Sequence, residues 1–184
     1  MPLQSWGVFD WKPYEVTADD GAITTVFHLP QNKKTFKSMN KQSVLVMHGT
    51  FMDGSSWFLP KVNGLYDFAD DEKPLPLTLL DMGYDVWVGN MRGTQWSRGH
   101  TTLDYKDWDS GYWDFTFAEK GMLDVPATIK KIQEVSGSGK VGYIGYSQGT
   151  TMMFYALTKE TEENFFAENM SAFIALAPCM IPPE

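Results

Sequence analysis

Apolar and polar residues alternate along the chain in blocks that predict strands and helices in turn. Four short, mainly apolar runs are typical of strands covered on both faces, and they are SVLVM (43–47), YDVWV (84–88), VGYI (141–144) and AFIALA (172–177). The intervening segments that we predict as helices are 76–82, 122–135 and 150–157. The clearest is 122–135, because Val125, Ile129 and Ile132 recur at three-to-four spacing. This alternation is typical of an α/β fold with a mostly parallel sheet.

Two further β-rich segments lie near the N-terminus, at 13–17 and 23–29. Asp19-Asp20-Gly21 between them is a hairpin-turn sequence, so we expect an antiparallel hairpin at the N-terminal edge of the sheet. With the four apolar runs, these segments predict six strands, with helices packed on both faces of the sheet.

Composition and charge narrow the classes of protein. The chain of 184 residues is 43% hydrophobic and 21% charged, which is ordinary for a folded globular domain. Its formal net charge of −8 disfavours nucleic acid and anionic membrane surfaces as partners. We predict no transmembrane segment, since no apolar run approaches about 20 residues. The single cysteine, Cys179, is expected to be a small buried hydrophobe, and the sequence predicts neither a metal site nor a cofactor.

The strongest chemical signal is Gly145-Tyr-Ser147-Gln-Gly149, which lies between a predicted strand and a predicted helix. It matches the G-x-S-x-G pattern of a nucleophile elbow, in which a sharp turn projects the serine hydroxyl at the end of a sheet. The two glycines are needed because the turn leaves no room for Cβ atoms there. We therefore expect Ser147 to be the catalytic nucleophile and the sharpest backbone outlier, with a positive φ. The alternative is a glycine-rich turn in an ordinary βαβ unit.

A second group of residues, His48-Gly49-Thr50, follows the SVLVM run directly. In hydrolases with a nucleophile elbow, a backbone N–H from this loop and the N–H after the serine form the oxyanion hole. We therefore predict the N–H groups of Thr50 and Gln148 as the two donors, with His48 in a structural role. The alternative is a simple turn at the end of a strand.

Several longer stretches extend this pattern across nearly the whole chain. They are YEVTADDGAITTVFHLP (14–30), VLVMHGTFMDGSSWF (44–58), GYDVWVGNMRGTQWSRGH (83–100), FTFAEKGMLDVPATIKKI (115–132), KVGYIGYSQGTTMMFYAL (140–157) and AFIALAP (172–178). In these stretches, and in their order, the chain resembles the gastric and lysosomal acid lipases. The resemblance implies an α/β-hydrolase fold and a serine hydrolase of neutral-lipid or other lipid esters. It also implies a secreted or lysosomal protein, although Met1 to Trp6 lacks the features of a signal peptide.

The resemblance maps the nucleophile onto Ser147 and the oxyanion donors onto Gln148 and Thr50, where the family usually has leucine. The motif glycines are Gly145, Gly149 and Gly49. It assigns no catalytic role to His100, and we expect His28 to be a surface or packing residue of the hairpin.

The segment after Ser147 departs from the family pattern. In this fold the acid and the histidine follow the serine, but the remaining 37 residues contain no Asp and no His. We therefore expect residues 1–184 to be the N-terminal part of one α/β-hydrolase domain, truncated after the sixth strand, without the cap domain and the last two strands. AFIALA would then form a bare sheet edge. A second polypeptide that supplies Asp and His is the predicted partner; the alternative is an inactive, lipase-like structural or interaction subunit of a larger assembly.

Overall fold

A computed structural model describes residues 11–29, 42–59, 73–159 and 164–180. It contains a seven-stranded sheet, whose strands are β1 (Lys12–Thr17), β2 (Ala22–His28), β3 (Ser43–Met47), β4 (Asp85–Gly89), β5 (Gly99–His100), β6 (Val141–Tyr146) and β7 (Met170–Leu176). The helices are α1 (Leu75–Asp81), α2 (Phe117–Glu119), α3 (Val125–Ser136), α4 (Gln148–Lys159) and α5 (Phe165–Asn169). Short 3-10 turns lie at Gly54–Phe58 and Trp108–Ser110.

The sheet has the order β1-β2-β4-β3-β6-β7. The β1–β2 hairpin is antiparallel and joins β4 in an antiparallel pair, whereas β4, β3, β6 and β7 are mutually parallel. This confirms the predicted mostly parallel sheet with an N-terminal hairpin at its edge. The two-residue strand β5 pairs with β2 and adds a seventh strand, which is too short to appear as an apolar run.

Helices cover both faces of the sheet, as the continuous apolar runs predict. Successive residues of a strand point to opposite faces, and β3 divides its side chains accordingly. Leu45 and Met47 pack in a core cluster with side chains of α3 and α4. Val44 and Val46 pack in a second cluster with side chains of α1. The strand that ends at the predicted oxyanion loop is therefore fixed from both sides.

The predicted helix 122–135 is a compound element. A capping box between Thr116 and Glu119 begins α2, a π-helical turn follows at Lys120–Asp124, and α3 continues to Ser136. Pro126 lies in the first turn of α3, where its missing N–H costs no hydrogen bond. The spacing of apolar residues predicts α3 but not the π-helical turn, because a single π-helical turn is too short to produce a repeating pattern of apolar positions.

The last strand differs from its prediction. AFIALA belongs to β7, which lies at the sheet edge of the described chain, and Ile174 is 49% exposed. The expectation of a strand buried on both faces is wrong here, because no residue of β7 is fully buried. The expectation that AFIALA forms an edge of the sheet agrees with the structure, in which β7 pairs only with β6 among the described strands. The expectation that Cys179 is buried is also wrong: it lies beyond the end of this edge strand and is exposed.

Candidate active site

Ser147 occupies a sharp turn between β6 and α4. Its φ is +50°, a left-handed conformation that is uncommon for a residue with a side chain. The Ser147 N–H donates to the carbonyl of Leu176 at 3.1 Å, and the Ser147 carbonyl accepts from the N–H of Thr150 at 2.8 Å. The predicted positive φ is therefore confirmed. Among the described residues Phe51, Asn164 and Ala177 also have a positive φ, so Ser147 shares this conformation with three other residues that carry a side chain, and its rank as the sharpest outlier stays a prediction.

The two elbow glycines are required by close backbone contacts. A Cβ on Gly145 would lie 2.6 Å from the Gly149 carbonyl oxygen, and a Cβ on Gly149 would lie 2.8 Å from the Met47 carbonyl oxygen. Both distances are shorter than any real Cβ contact. The buried Tyr143 hydroxyl donates to the Gly149 carbonyl at 2.8 Å and supports the turn from beneath. The structure thus gives the physical reason for the glycine at each position.

The loop after β3 lies directly against the elbow. A Cβ on Gly49 would lie 3.0 Å from Ser147 Cβ and 3.2 Å from the Tyr146 ring. A glycine at this position lets the two backbones approach, and it brings the following residue, Thr50, alongside the elbow. Phe51 then turns the chain away in a left-handed conformation.

His48 has both ring nitrogens engaged with the backbone. Its Nδ1 lies 2.8 Å from the Gly49 carbonyl oxygen, and its Nε2 accepts from the N–H of Met91 at 3.0 Å. Nδ1 therefore carries the proton of a neutral ring. Burial lowers the pKa of His48, which favours the same neutral form. The ring joins the end of β3 to the segment after β4, in agreement with the predicted structural role.

His28 lies at the opposite end of the parallel strands. Its Nε2 is 2.6 Å from Asp85 Oδ1, and its ring stacks on Trp87 with centroids 4.0 Å apart. The same carboxylate accepts from Ser43 Oγ at 2.6 Å. Ser43 and Asp85 begin β3 and β4, whereas Ser147 follows the end of β6. The carboxyl ends of parallel strands share one edge, so His28 and Asp85 are packing partners remote from the elbow.

His100 is held within its own loop. Its Nδ1 accepts from the N–H groups of Thr102 at 3.1 Å and Leu103 at 3.2 Å. The three histidines of the sequence all fall in the described residues, and the hydrogen-bond partners recorded for each ring are groups other than Ser147.

A cavity of about 640 Å³ opens beside the elbow. Its lining includes Gly49, Thr50 and Gln148, so it brings together the two predicted oxyanion donors. Ser147 is not itself among the lining residues, but it lies against Gly49 and immediately before Gln148. Trp113 and Phe115 supply apolar surface to the same cavity.

Exposed apolar side chains surround this cavity. Phe51, Met52 and Leu59 all line it and are 104%, 42% and 64% exposed. Large apolar side chains grouped at one site on a surface mark a binding site for an apolar molecule or surface.

Lys120 is a cavity residue that sequence reasoning missed. Its Nζ donates to the side-chain Oε1 of Gln148 at 3.1 Å and lies 5.4 Å from the centre of the Phe115 ring. Burial lowers the pKa of Lys120, and the nearby charge of Arg92 acts in the same direction while Asp124 opposes it. No sequence motif marks this residue, because its position depends on the π turn.

Arg92, a second missed residue, is buried and lines the same cavity. Its Nε donates to Asp124 at 2.9 and 3.1 Å, and its terminal nitrogens donate to Asp124 and Asp20 at 2.5 to 3.1 Å. Burial opposes the charge, but the hydrogen bonds that Arg92 donates to both carboxylates raise its pKa above the ordinary value. The network ties the β1–β2 turn and the π turn to the segment after β4.

The described residues give no indication of a metal centre. Within these ranges, His, Cys, Asp and Glu side chains form no group of three or more suited to a metal ion. Nor does any helix in this part of the chain have the length and apolarity to cross a membrane.

Comparisons with known proteins agree with the fold. Residues 42–184 match the family model described as the α/β-hydrolase fold. The chain belongs to the α/β-hydrolase family. Residues 3–61 of this α/β-hydrolase also match a partial α/β-hydrolase lipase region.

The related sequences are lipases. The chain is 36% identical to human lipase member K over 96% of its own length and 41% of that protein. It is 35% identical to rat gastric triacylglycerol lipase, over 94% of the chain and 40% of that protein. It is also 35% identical to the lysosomal acid lipase/cholesteryl ester hydrolase of Macaca fascicularis, over 96% of the chain and 41% of that protein. The resemblance to acid lipases is confirmed, and the chain spans about two-fifths of the length of these relatives.

Solved structures share the fold. An esterase from Pyrococcus furiosus, Pf2001, matches with a TM-score of 0.57 and 18% identity, over 97% of this chain and 52% of that one. The Vigna radiata epoxide hydrolase VrEH1 matches with a TM-score of 0.56 and 19% identity, over 95% of this chain and 42% of that one.

Proposed function

We propose that this protein is a carboxylic ester hydrolase that acts on lipid esters through Ser147. The observation that carries the proposal is the strained elbow of Ser147 against the Gly49–Thr50 loop, beside a cavity with apolar lining. Membership of the α/β-hydrolase family and similarity to lipases support an ester substrate. The gastric and lysosomal names of two relatives favour a secreted or lysosomal location.

The chemistry follows from the geometry of the elbow. Ser147 Oγ attacks the ester carbonyl carbon, and its proton passes to a general base. The carbonyl oxygen becomes an oxyanion that accepts hydrogen bonds from the N–H groups of Thr50 and Gln148. The base returns the proton to the alcohol oxygen as the C–O bond to the alcohol breaks, which leaves an acyl-serine. Water then attacks the acyl-serine and gives a proton to the same base, which returns it to the serine oxygen as the carboxylic acid is released. The N-terminus of α4 adds the positive end of its helix dipole at the oxyanion.

The base and its acid partner are proposed to come from outside the 184 residues. His28, His48 and His100 are each held by other groups, so none of them is placed to accept the Ser147 proton. β7 is an edge strand here, with Ile174 49% exposed, and a further strand paired along it would reach the same end of the sheet as Ser147. That this strand belongs to a second polypeptide is the prediction from the sequence, and it stays a prediction. Mass analysis of the polypeptides in the purified protein tests it.

The function is tested on a soluble short-chain ester, such as p-nitrophenyl butyrate, with protein purified together with the polypeptide that supplies the base and its acid partner. We expect measurable turnover in the wild type and a loss of at least about 1,000-fold in Ser147→Ala, since the nucleophile is removed. Ser171→Ala is the matched control, because Ser171 is exposed at the start of β7, and it should retain wild-type turnover. Equal turnover by wild type and Ser147→Ala would contradict the proposal. A folded wild type without turnover would favour the structural or interaction subunit instead.

A further inference from the structure

The π-helical turn Lys120–Asp124 packs closely on the helix that carries the oxyanion donor. Gly121 permits this contact, because a Cβ there would collide with the carbonyl oxygen of Met152 in α4. Ala156 of α4 lies next to the same point. Lys120, immediately before Gly121, is thereby held at the first residue of α4, where its ammonium meets the Gln148 side chain.

Stability alone does not account for a lysine at this place. A cation at the N-terminus of a helix opposes the helix dipole, and partial burial of an ammonium costs solvation free energy. Among the described residues Lys120 has no salt bridge, and the nearby Asp124 carboxylate is hydrogen-bonded to Arg92. Its recorded polar contact is the Gln148 carboxamide oxygen, at 3.1 Å.

We propose that Lys120 is a positioning residue for the oxyanion hole. Its ammonium holds the Gln148 side chain in one orientation, and this fixes the first turn of α4 so that the Gln148 N–H points at the developing oxyanion. The inference rests on the proposed ester hydrolysis by Ser147. It assigns to this lysine a role that neither the G-x-S-x-G motif nor the loop after β3 predicts.

A donor that is misaligned weakens stabilisation of the transition state more than substrate binding, because the oxyanion forms only during the reaction. Lys120→Met keeps the length of the side chain and its contact with Phe115 but removes the ammonium. We expect it to lower kcat on p-nitrophenyl butyrate by about tenfold, with KM within about twofold of wild type, a smaller loss than removal of an oxyanion donor itself causes. Lys120→Arg keeps a cationic donor and should restore kcat to within about threefold of wild type.

Two further variants separate positioning from a general structural effect. In a Gln148→Met background the Lys120→Met change should lower kcat by less than about twofold, because residues that act through one contact are not additive. Lys159→Met, at the exposed far end of α4, is the matched control and should retain wild-type kcat. The thermal unfolding midpoint of Lys120→Met should equal or exceed that of wild type, since an unfavourable charge is removed.

The outcomes are distinct. An active wild type whose Lys120→Met variant keeps its kcat overturns this inference alone. So does a tenfold loss that persists in the Gln148→Met background, or one that accompanies a fall in the unfolding midpoint. A wild type in which Ser147 neither hydrolyses the ester nor reacts with a phosphonate probe overturns the proposed function, and this inference with it.

Discussion

Replacement of Arg92 by methionine is expected to be among the most destabilising single changes in this chain. The Arg92 side chain is 6% exposed and hydrogen-bonds to Asp124, which is 4% exposed, and to Asp20, which is 32% exposed. Methionine fills similar volume without a donor. The Asp124 carboxylate would then be buried without its cationic partner.

The free-energy cost follows from this burial. Breaking a buried ion pair by removal of one partner costs about 3 to 5 kcal/mol, because the remaining charge is uncompensated. Asp20 adds little to this, since it is partly solvated and keeps a hydrogen bond from the N–H of Ala22 at 3.2 Å. In a chain of this size the loss corresponds to a fall in Tm of roughly 6 to 20 °C.

The pH dependence identifies the cause. Burial raises the pKa of Asp124, hydrogen bonds from Arg92 oppose that rise, and their removal raises the pKa further. A carboxyl group whose folded pKa lies above its unfolded value favours the folded state at low pH, and this contribution is lost as pH rises through the folded pKa. The stability deficit of Arg92→Met relative to wild type should therefore shrink as the pH is lowered from 8 towards 5.

Thermal and urea unfolding of purified wild type, Arg92→Met and Arg98→Met measure these effects. Arg98 is exposed and lies over the Tyr105 ring at 5.5 Å, so its loss should cost no more than about 1 kcal/mol. Equal losses in the two variants would refute the reasoning, as would a deficit for Arg92→Met that grows towards acid pH.

Two other predictions concern the elbow and the far end of the sheet. Gly149→Ala places a Cβ 2.8 Å from the Met47 carbonyl oxygen and should lower ester turnover about 100-fold by displacing the elbow. Gly139→Ala, where the Cβ would meet open space, should leave turnover unchanged, and equal turnover in both variants would contradict this account. At Asp85, burial acts to raise the pKa, but hydrogen bonds from His28 and others lower it, so its stabilising contribution is lost as pH falls below about 4. Between pH 5 and 3, urea titrations should show a larger fall in the free energy of unfolding for wild type than for Asp85→Asn. An equal fall in both proteins would contradict the stabilising role of the Asp85 carboxylate.

The parts of the fold that sequence predicted are those with a local signature. The runs SVLVM and VGYI are apolar on both faces, and they became the central strands β3 and β6. β5 has no such signature, since Gly99 and His100 are a strand only through their pairing with β2. The exposure of Ile174 likewise depends on what packs against its face of the sheet, which the residue types of the strand do not specify.

The candidate site divides in the same way. Ser147, Gly145 and Gly149 were predictable because a sharp strand-to-helix turn imposes its own residue types. Lys120 and Arg92 were not, because their roles arise from packing between segments far apart in sequence. Arg92 hydrogen-bonds to a carboxylate 32 residues away, and Lys120 to an amide 28 residues away.

The central claim is that Ser147 is a nucleophile whose ester oxyanion is held by the N–H groups of Thr50 and Gln148. A crystal structure of the protein after reaction with an alkyl phosphonate tests it most directly, since the phosphonyl oxygen occupies the place of the oxyanion. We predict a covalent bond from Ser147 Oγ to phosphorus, with the phosphonyl oxygen about 2.7 to 3.1 Å from both nitrogens. An adduct on another residue, or a phosphonyl oxygen directed away from both N–H groups, would contradict the claim.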